Sequence, residues 1–274
     1  MDTSRFAALH PELDLDRKLL TLWLDHGKAN EMGSEQLDAF TALCEVLERD
    51  DRVMCLCTSS RRTSAKGKPI FISGANVTER VGWDDERVRA HVVRQRELMC
   101  RIRRLPLFHV VVPTGITLGW GTEYVLTGDY AIATPQASFA LPETGLGIIP
   151  GARGTAELAD LVGVAQALRL GCTGESIDAT EAHRIALVQE LAEDLAAATA
   201  RVAAIALAVA RRSPTAVAAF KQALLDGRGR PEPERLASEA AAYARTVETG
   251  EAAIGRANFA AIVAGSAPGW GPRR

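Results

Sequence analysis

The segment GITLGWGTEYVLTGDY, residues 115–130, places three glycines and a tryptophan immediately before an apolar helical stretch. Glycine lets a chain turn tightly and lets a ligand approach the backbone. The first amides of the helix that follows have no partner within the helix, and the helix dipole favours negative charge there. We therefore predict that this turn can bind a carbonyl oxygen that becomes negative during a reaction, with Trp120 and Glu123 beside it.

Two other segments combine small residues with groups that could act in catalysis, namely approachable backbone amides and a carboxylate. In IFISGAN (70–76) a strand opens into small residues, which leaves backbone amides approachable. ASFALPETGLGIIPGARGT (137–155) places Glu143 between a proline and a glycine-rich loop. Two amide donors on separate loops can hold one oxyanion. Two carboxylates whose pKa values are set by their surroundings suit acid–base catalysis. Each signal is weak alone, and the combination predicts an active site.

Strand and helix patterns alternate along the first part of the chain, which predicts an α/β fold with parallel strands and crossover helices. From about residue 155 the sequence becomes almost entirely helical and rich in alanine. We predict a core over residues 1–195 and a C-terminal helical region over 196–274, whose last ten or so residues are expected to be disordered. The predicted strands are 18–25, 53–59, 70–77 and 107–112, and the predicted helices are 34–50, with Ser34 as N-cap, and 85–104.

The bulk composition is that of a globular protein. Hydrophobic residues make up 47% of the 274 positions, and the formal net charge of -2 gives no indication of a nucleic-acid partner. There is neither a recognisable signal peptide nor an apolar run of about 20 residues, so we expect no membrane partner. The five cysteines have no metal-ligand spacing. We expect reduced thiols, no metal site and a cytoplasmic location.

Taken in order, the three segments resemble the motifs of the crotonase superfamily, the enoyl-CoA hydratase/isomerase family. The similarity runs from about residue 15 to about residue 259. The resemblance implies a spiral of ββα units with a helical C-terminal oligomerisation region that forms a homotrimer or homohexamer. It also implies an acyl-CoA thioester as partner. No separate cofactor is expected, because CoA is part of the substrate.

The resemblance also assigns roles to individual residues. It implies that the backbone amides of Ser73 and Trp120 form the oxyanion hole, and that Glu123 and Glu143 are catalytic. Because members that catalyse other reactions often lack one of the two glutamates, their presence favours a 2-enoyl-CoA hydratase. Contacts with substrate or CoA are implied for Lys28, Ala29, Ser73, Ala75, Asn76, Gly119, Gly121, Pro142 and Gly147.

Several alternatives remain open at this stage. The same scaffold could carry an enoyl-CoA isomerase or a ring-opening hydrolase of a cyclic oxoacyl-CoA, and a non-catalytic binding protein is a third possibility. Trp120 stands where the family has glycine, so its indole either lines the acyl pocket or packs into the core. The basic segment 59–68 either holds the CoA phosphates or is a solvated loop. His109, on an apparently buried strand, is interpreted as a core histidine.

Overall fold

The chain winds as a spiral in which successive turns place one strand in each of two sheets. The computed structural model describes all 274 residues. Its strands are β1 (Pro11–Asp14), β2 (Leu19–Leu24), β3 (Cys55–Ser60), β4 (Ile70–Ile72), β5 (Phe108–Val111), β6 (Ile116–Leu118), β7 (Tyr130–Ala133), β8 (Ser138–Ala140), β9 (Ile177–Asp178) and β10 (Glu190–Leu191). Its helices are α1 (Ser34–Leu47), α2 (Asp85–Arg103), α3 (Trp120–Val125), α4 (Gly154–Val162), α5 (Val164–Thr173), α6 (Ala179–Arg184), α7 (Leu195–Ala210), α8 (Pro214–Gly227), α9 (Glu232–Glu248), α10 (Glu251–Ala257) and α11 (Phe259–Val263). Short 3₁₀ helices cover Ser4–Leu9, Thr78–Arg80 and Pro142–Leu146.

The two sheets explain why the fold repeats. The six-stranded sheet has the order β1-β2-β3-β5-β7-β10, and the four-stranded sheet has the order β4-β6-β8-β9. Neighbouring strands are parallel except for β1 with β2 and β8 with β9. The chain therefore repeats a unit of two strands and a helix: β3-β4-α2, β5-β6-α3 and β7-β8-α4. This confirms the predicted α/β spiral of ββα units.

The predicted elements agree with the structure except where strands are very short. The strand predicted over 70–77 ends at Ile72, and β6 lies inside the segment that we interpreted as a glycine turn. A strand of three residues between two glycines is too short to show periodicity. The N-cap of α1 is Gly33 rather than Ser34, and its amide donates to the Gln36 side chain at 3.1 Å.

The core lies on both faces of the six-stranded sheet. All six residues of β3 are buried, as expected for a parallel strand that is covered on both sides. On one face, Leu56 packs in the main apolar cluster with α1 residues such as Phe40. On the other face, Cys55 and Cys57 pack in a smaller cluster with residues of α7.

The C-terminal region packs directly on this core. Helix α7 covers the sheet through Ala198, Val202 and Ala206. The tail that we predicted to be disordered is instead held by hydrogen bonds. The Trp270 indole donates to the carbonyl of Arg211 at 2.9 Å, and Arg273 donates to the carbonyl of Leu47 at 2.6 Å. No single helix is long and apolar enough to cross a membrane. Only α7 and α8 together reach that length and hydropathy, and they are bent by 107°.

A buried charged network attaches α8 to the core. The Lys221 ammonium donates to Asp129 Oδ2 at 2.7 Å and to the carbonyl of Leu107 at 2.9 Å, and Arg103 pairs with the other Asp129 oxygen. The backbone amide of His109 also donates to Asp129 Oδ2. Burial raises the cost of each charge, so the pairing is required rather than optional.

His109 is fully buried, which confirms the prediction of a core histidine. Its Nε2 lies 3.0 Å from Thr58 Oγ1, and that hydroxyl lies 2.9 Å from the phenol oxygen of Tyr124. Burial lowers the pKa of His109 to about 3, so its ring is neutral at physiological pH. The ring therefore has a packing role on β5.

We expect Lys221→Met to lower the free energy of unfolding by about 2–4 kcal/mol, because it leaves the buried carbonyl of Leu107 without this donor and removes a buried positive charge from Asp129. Denaturant unfolding measures the change. Arg104→Met is the matched control, since Arg104 pairs with Asp226 of the same helix α8 at an exposed position, where an ion pair is worth roughly 0–1 kcal/mol. Equal losses in the two variants would contradict the anchoring role of Lys221.

Candidate active site

The three segments singled out in the sequence meet at one edge of the four-stranded sheet. β4, β6 and β8 are adjacent and parallel, so their carboxyl ends lie side by side. The chain leaving β4 forms the loop 73–76, the chain leaving β6 enters α3, and the chain leaving β8 enters the 3₁₀ helix that contains Glu143. The fold therefore brings together residues that are far apart in sequence.

Two glycines allow the loops to come this close. A β-carbon at position 121 would collide with the carbonyl of Ile72 at the end of β4, so α3 can start here only with glycine at this position. Gly119 has φ +49°, a backbone conformation that side chains disfavour. Its missing side chain also makes room for Glu143, whose Oε1 lies 2.5 Å from the place a β-carbon would take.

Glu123 lies on the first turn of α3 and is 3% exposed. Its Oε1 accepts hydrogen bonds from the amides of Ala152 at 2.8 Å and Gly154 at 2.7 Å, whereas its Oε2 makes none within the protein. Burial raises the pKa of Glu123 to about 7, and the amide of Gly154 opposes this shift. The carboxyl group is thus held by one oxygen and can gain or lose a proton near neutral pH.

Glu143 is the second carboxylate, on the 3₁₀ helix Pro142–Leu146. Its Oε2 is buried and makes no hydrogen bond within the protein. Burial raises the pKa of Glu143, and the negative charge of Glu143 in turn helps to raise the pKa of Glu123. Because the charge of Glu143 opposes the ionisation of Glu123, the two carboxyl groups resist being ionised together.

The backbone amides at the site differ from the prediction at one position. The Trp120 amide, the first of α3, makes no hydrogen bond within the protein. The prediction that the Ser73 amide is free is wrong, because it donates to the carbonyl of Ala29 at 3.2 Å. The free amide after β4 is that of Ala75, which follows Gly74 and makes no hydrogen bond.

The physical reason is a short ladder that continues past the end of β4. The Ser73 amide and the Gly74 carbonyl are both bonded to the chain at residues 29–32. Gly74 then adopts φ +98°, and the Ala75 amide that follows lies outside the ladder. The sequence Ser73-Gly74-Ala75 does not show which of its amides forms a hydrogen bond to the neighbouring segment.

The Trp120 indole packs into the core instead of lining a pocket. It is 2% exposed, stacks on Tyr124 with ring centroids 5.4 Å apart, and lies 6.4 Å from Phe40. Of the two alternatives left open by the sequence, the structure therefore supports core packing. Only the side chain turns inward, so the Trp120 backbone amide remains the first, unpaired amide of α3.

The sequence profile described as Enoyl-CoA hydratase/isomerase matches residues 28–261. The chain belongs to the enoyl-CoA hydratase/isomerase family. It is 33% identical to the human mitochondrial Enoyl-CoA hydratase domain-containing protein 2 over 233 residues, which cover 84% of this chain and 77% of that protein. It is 29% identical to the short-chain-enoyl-CoA hydratase of Clostridium acetobutylicum, over 86% of this chain and 89% of that protein. Among solved structures, an enoyl-CoA hydratase from Bacillus anthracis is similar with a TM-score of 0.83 and 29% identity, covering 92% of this chain and 95% of that one.

The remaining residues that the family resemblance assigned to substrate or CoA binding make different contacts within the protein. Ala29 touches the loop after β4 through its bond from Ser73, and the exposed Lys28 lies next to it. The Asn76 side chain is already used, because its Oδ1 accepts three hydrogen bonds from the following turn. Pro142 begins the 3₁₀ helix of Glu143 and Gly147 ends it with φ +73°, so both act on that backbone.

The basic segment 59–68 is partly paired within the protein. Arg61 contacts Glu12 at 2.9 Å, and Arg62 contacts Asp25 at 3.0 Å. Lys66 and Lys68 are exposed and form no ion pair. These two lysines are the side chains of the segment left to meet phosphates, and both alternatives for this loop stay open.

The sequence did not single out the groups that hold Glu123. Ala152 and Gly154 flank Arg153, which has the unusual φ of +91° and so orients the amides on either side of it. Arg96 of α2 donates to the carbonyl of Gly151 at 3.0 Å, and its charge lowers the pKa of Glu123. The run IIPGARGT is visibly a turn, but its register against α3 is set by tertiary packing.

The raised pKa of Glu123 predicts how stability depends on pH. The folded protein binds this proton more tightly than the unfolded chain, so the free energy of unfolding falls as pH rises from about 4.5 to about 7. We expect Glu123→Gln, which keeps the acceptor for both amides, to remove this loss. Its advantage over wild type should be small at pH 4.5 and on the order of 3 kcal/mol at pH 8.

Denaturant unfolding at a series of pH values measures this difference. Glu97→Gln, at an exposed position on α2, is the matched control and is expected to follow the wild-type profile. A constant difference between Glu123→Gln and wild type across the pH range would show that Glu123 does not titrate near neutrality.

Proposed function

We propose that this protein is a 2-enoyl-CoA hydratase, which adds water across the C2=C3 bond of an acyl-CoA thioester or removes it. One observation carries the proposal: the paired carboxyl groups of Glu123 and Glu143 lie beside the unpaired amide of Trp120, at the edge where the unpaired amide of Ala75 also emerges. Acid–base groups and oxyanion donors thus converge at one place. The names of the hydratase relatives support the same reaction class.

In the proposed mechanism the thioester carbonyl accepts hydrogen bonds from the amides of Ala75 and Trp120. Negative charge develops on this oxygen when water attacks C3, and the start of α3 favours that charge through its dipole as well as its free N–H groups. Since both donors are part of the folded backbone, they need no rearrangement during the reaction. A donor of this kind contributes about 10²–10³ in rate.

The two glutamates supply the proton transfers. A carboxylate accepts a proton from water as it attacks C3, and a protonated carboxyl delivers one to C2. Since the pKa of Glu123 is raised to about 7 and that of Glu143 is also raised, the pair can present one protonated and one ionised carboxyl group. Addition of water causes no net oxidation or reduction of the substrate. We therefore propose that the reaction uses only water and the thioester, without a further cofactor.

Activity assays with Glu123→Gln and Glu143→Gln test the proposal. Each variant keeps the size of the side chain and is expected to lower kcat by about 10²–10⁴-fold, because a proton-transfer group is lost. Loss of the conjugated thioester absorbance and the gain of one water by mass spectrometry measure the reaction. Glu86→Gln, exposed on α2, is the matched control and should retain full activity.

The products also separate the alternatives. A product of unchanged mass would replace the hydratase with an isomerase, and hydrolysis that opens a cyclic oxoacyl group would replace it with a hydrolase. Thioester binding without any reaction would indicate a binding protein.

We further propose that the chain assembles as a homotrimer, alone or as a pair of trimers. Two separate apolar surfaces support this: one on α4 and α5, and one on α9 to α11. Contact between two different surfaces of identical chains generates a closed ring when the rotation is suitable. The exposed apolar residues are Leu161, Val164 and Leu168 on the first surface, and Leu236, Tyr243, Val247, Phe259 and Val263 on the second.

The mass in solution, measured by light scattering, is expected to be three or six times that of the 29.3 kDa chain. The double substitution Tyr243→Glu and Phe259→Glu should produce monomers, because it places two charges in the proposed contact. Leu15→Glu, at an exposed turn between β1 and β2, should leave the mass unchanged. A monomeric wild type would contradict the assembly.

A further inference from the structure

A second group of buried polar atoms lies outside the catalytic pair. Arg80 Nε and Nη2, His91 Nε2 and Gln95 Nε2 are all buried and make no hydrogen bond within the protein. The His91 and Gln95 side chains are 7% and 4% exposed. Leaving so many buried donors unpaired is costly, so the cluster requires an explanation beyond packing.

The residues of the cluster lie on two segments that each also contribute to the proposed site. Arg80 ends the 3₁₀ turn Thr78–Arg80, which begins two residues after Asn76. His91 and Gln95 are one helical turn apart on α2. Their neighbours along the helix contact the loop that holds Glu123, since Arg96 donates to the Gly151 carbonyl and Val92 packs against Gly151. Both segments that carry the cluster are therefore continuous with segments of the proposed site.

The free edge of Arg80 has a defined chemical preference. Nε and Nη2 form the side of the guanidinium that grips both oxygens of a carboxylate. Elsewhere in this chain the same edge does so: Arg101 holds both oxygens of Glu48 at 2.5 and 2.7 Å, and Arg184 holds both oxygens of Glu181 at 2.6 and 2.8 Å. Arg80 is the only arginine of the chain whose Nε and Nη2 are both buried and unpaired.

The other groups of the cluster are held in place. The His91 ring meets the edge of Trp83 at a centroid distance of 5.2 Å, and its Nε2 lies 3.5 Å from Glu79 Oε1. Glu79 is itself fixed, because its Oε2 accepts a hydrogen bond from the Ser34 amide at the start of α1. Glu79 Oε1 faces His91 without forming a hydrogen bond, and its negative charge also acts on Arg80. Arg80 and Gln95 remain as donors without a partner at hydrogen-bond distance.

We propose that Arg80, together with Gln95, binds a carboxylate at the far end of the acyl group, so that the preferred substrate is the CoA thioester of an unsaturated dicarboxylic acid. The orientation of the acyl chain rests on the proposed hydratase function. The subsite itself rests on the buried donors of Arg80 and Gln95. An apolar acyl group would leave these donors unpaired, and a site built to form hydrogen bonds rejects ligands that cannot form them.

The proposal is tested with matched 2-enoyl-CoA thioesters of several chain lengths. At each length the far end of the acyl group carries a carboxylate, a primary amide or an isopropyl group. Wild type is expected to have the highest kcat/KM with the carboxylate. Arg80→Met should lower that value by about 100-fold, because it removes two hydrogen bonds to a charged group, and should leave the isopropyl substrate little changed. Arg80→Lys, which keeps the charge but not the two-donor edge, should lie between.

Two controls keep the result interpretable. Arg89→Met, at an exposed position on α2, should not alter the preference order. Competition binding with saturated acyl-CoA analogues bearing the same end groups requires no turnover. Tighter Arg80-dependent binding of the carboxylate without any hydration would overturn the hydratase function and leave the subsite standing.

The proposal is overturned if wild type prefers the isopropyl group or the amide. It is equally overturned if Arg80→Met lowers activity or thermal stability to the same extent with every end group, because Arg80 would then have a purely structural role.

Discussion

The site depends on the close contact between the end of β4 and the start of α3. The chain can make this contact only because Gly121 has no side chain to collide with the carbonyl of Ile72. This contact places the first amides of α3 next to the loop that contains Ala75. The parallel order of β4, β6 and β8 then adds the segment with Glu143 on the other side. A side chain at position 121 would push α3, with the Trp120 amide and Glu123, away from the end of β4 and the Ala75 amide that follows it.

The electrostatics follow from this geometry. Burying two carboxyl groups side by side is unfavourable, and the protein offsets the cost at Glu123 with two backbone amides on one oxygen. The second oxygen and Glu143 stay without partners in the chain, which is unfavourable for stability but necessary for groups that exchange protons. The buried donors of Arg80 and Gln95 follow the same pattern, since they too lack partners that the folded chain could have supplied.

Residue types predicted the carboxylates of the site but not all of its free backbone amides. Glu123 and Glu143 were recognised because a carboxylate beside glycine-rich turns is chemically distinctive, and the structure brings them together. The free amide was predicted at Ser73 and lies at Ala75, because a backbone ladder to residues 29–32 consumes one amide and a left-handed glycine releases the other. Hydrogen-bond partners of the backbone depend on segments far away in sequence, so residue types alone do not reveal them.

Local patterns in the sequence determined the alternation of strands and helices, the helical C-terminal region and the identity of the two glutamates. These features depend on residue type and on periodicity within about ten residues, which can be read along a chain. Only the tertiary structure decided which amides are free, that the Trp120 indole packs inward on Tyr124, and that polar atoms of Arg80, His91 and Gln95 are buried without partners. Each of these is a contact between elements, and the spiral sets such contacts through strand register and helix packing.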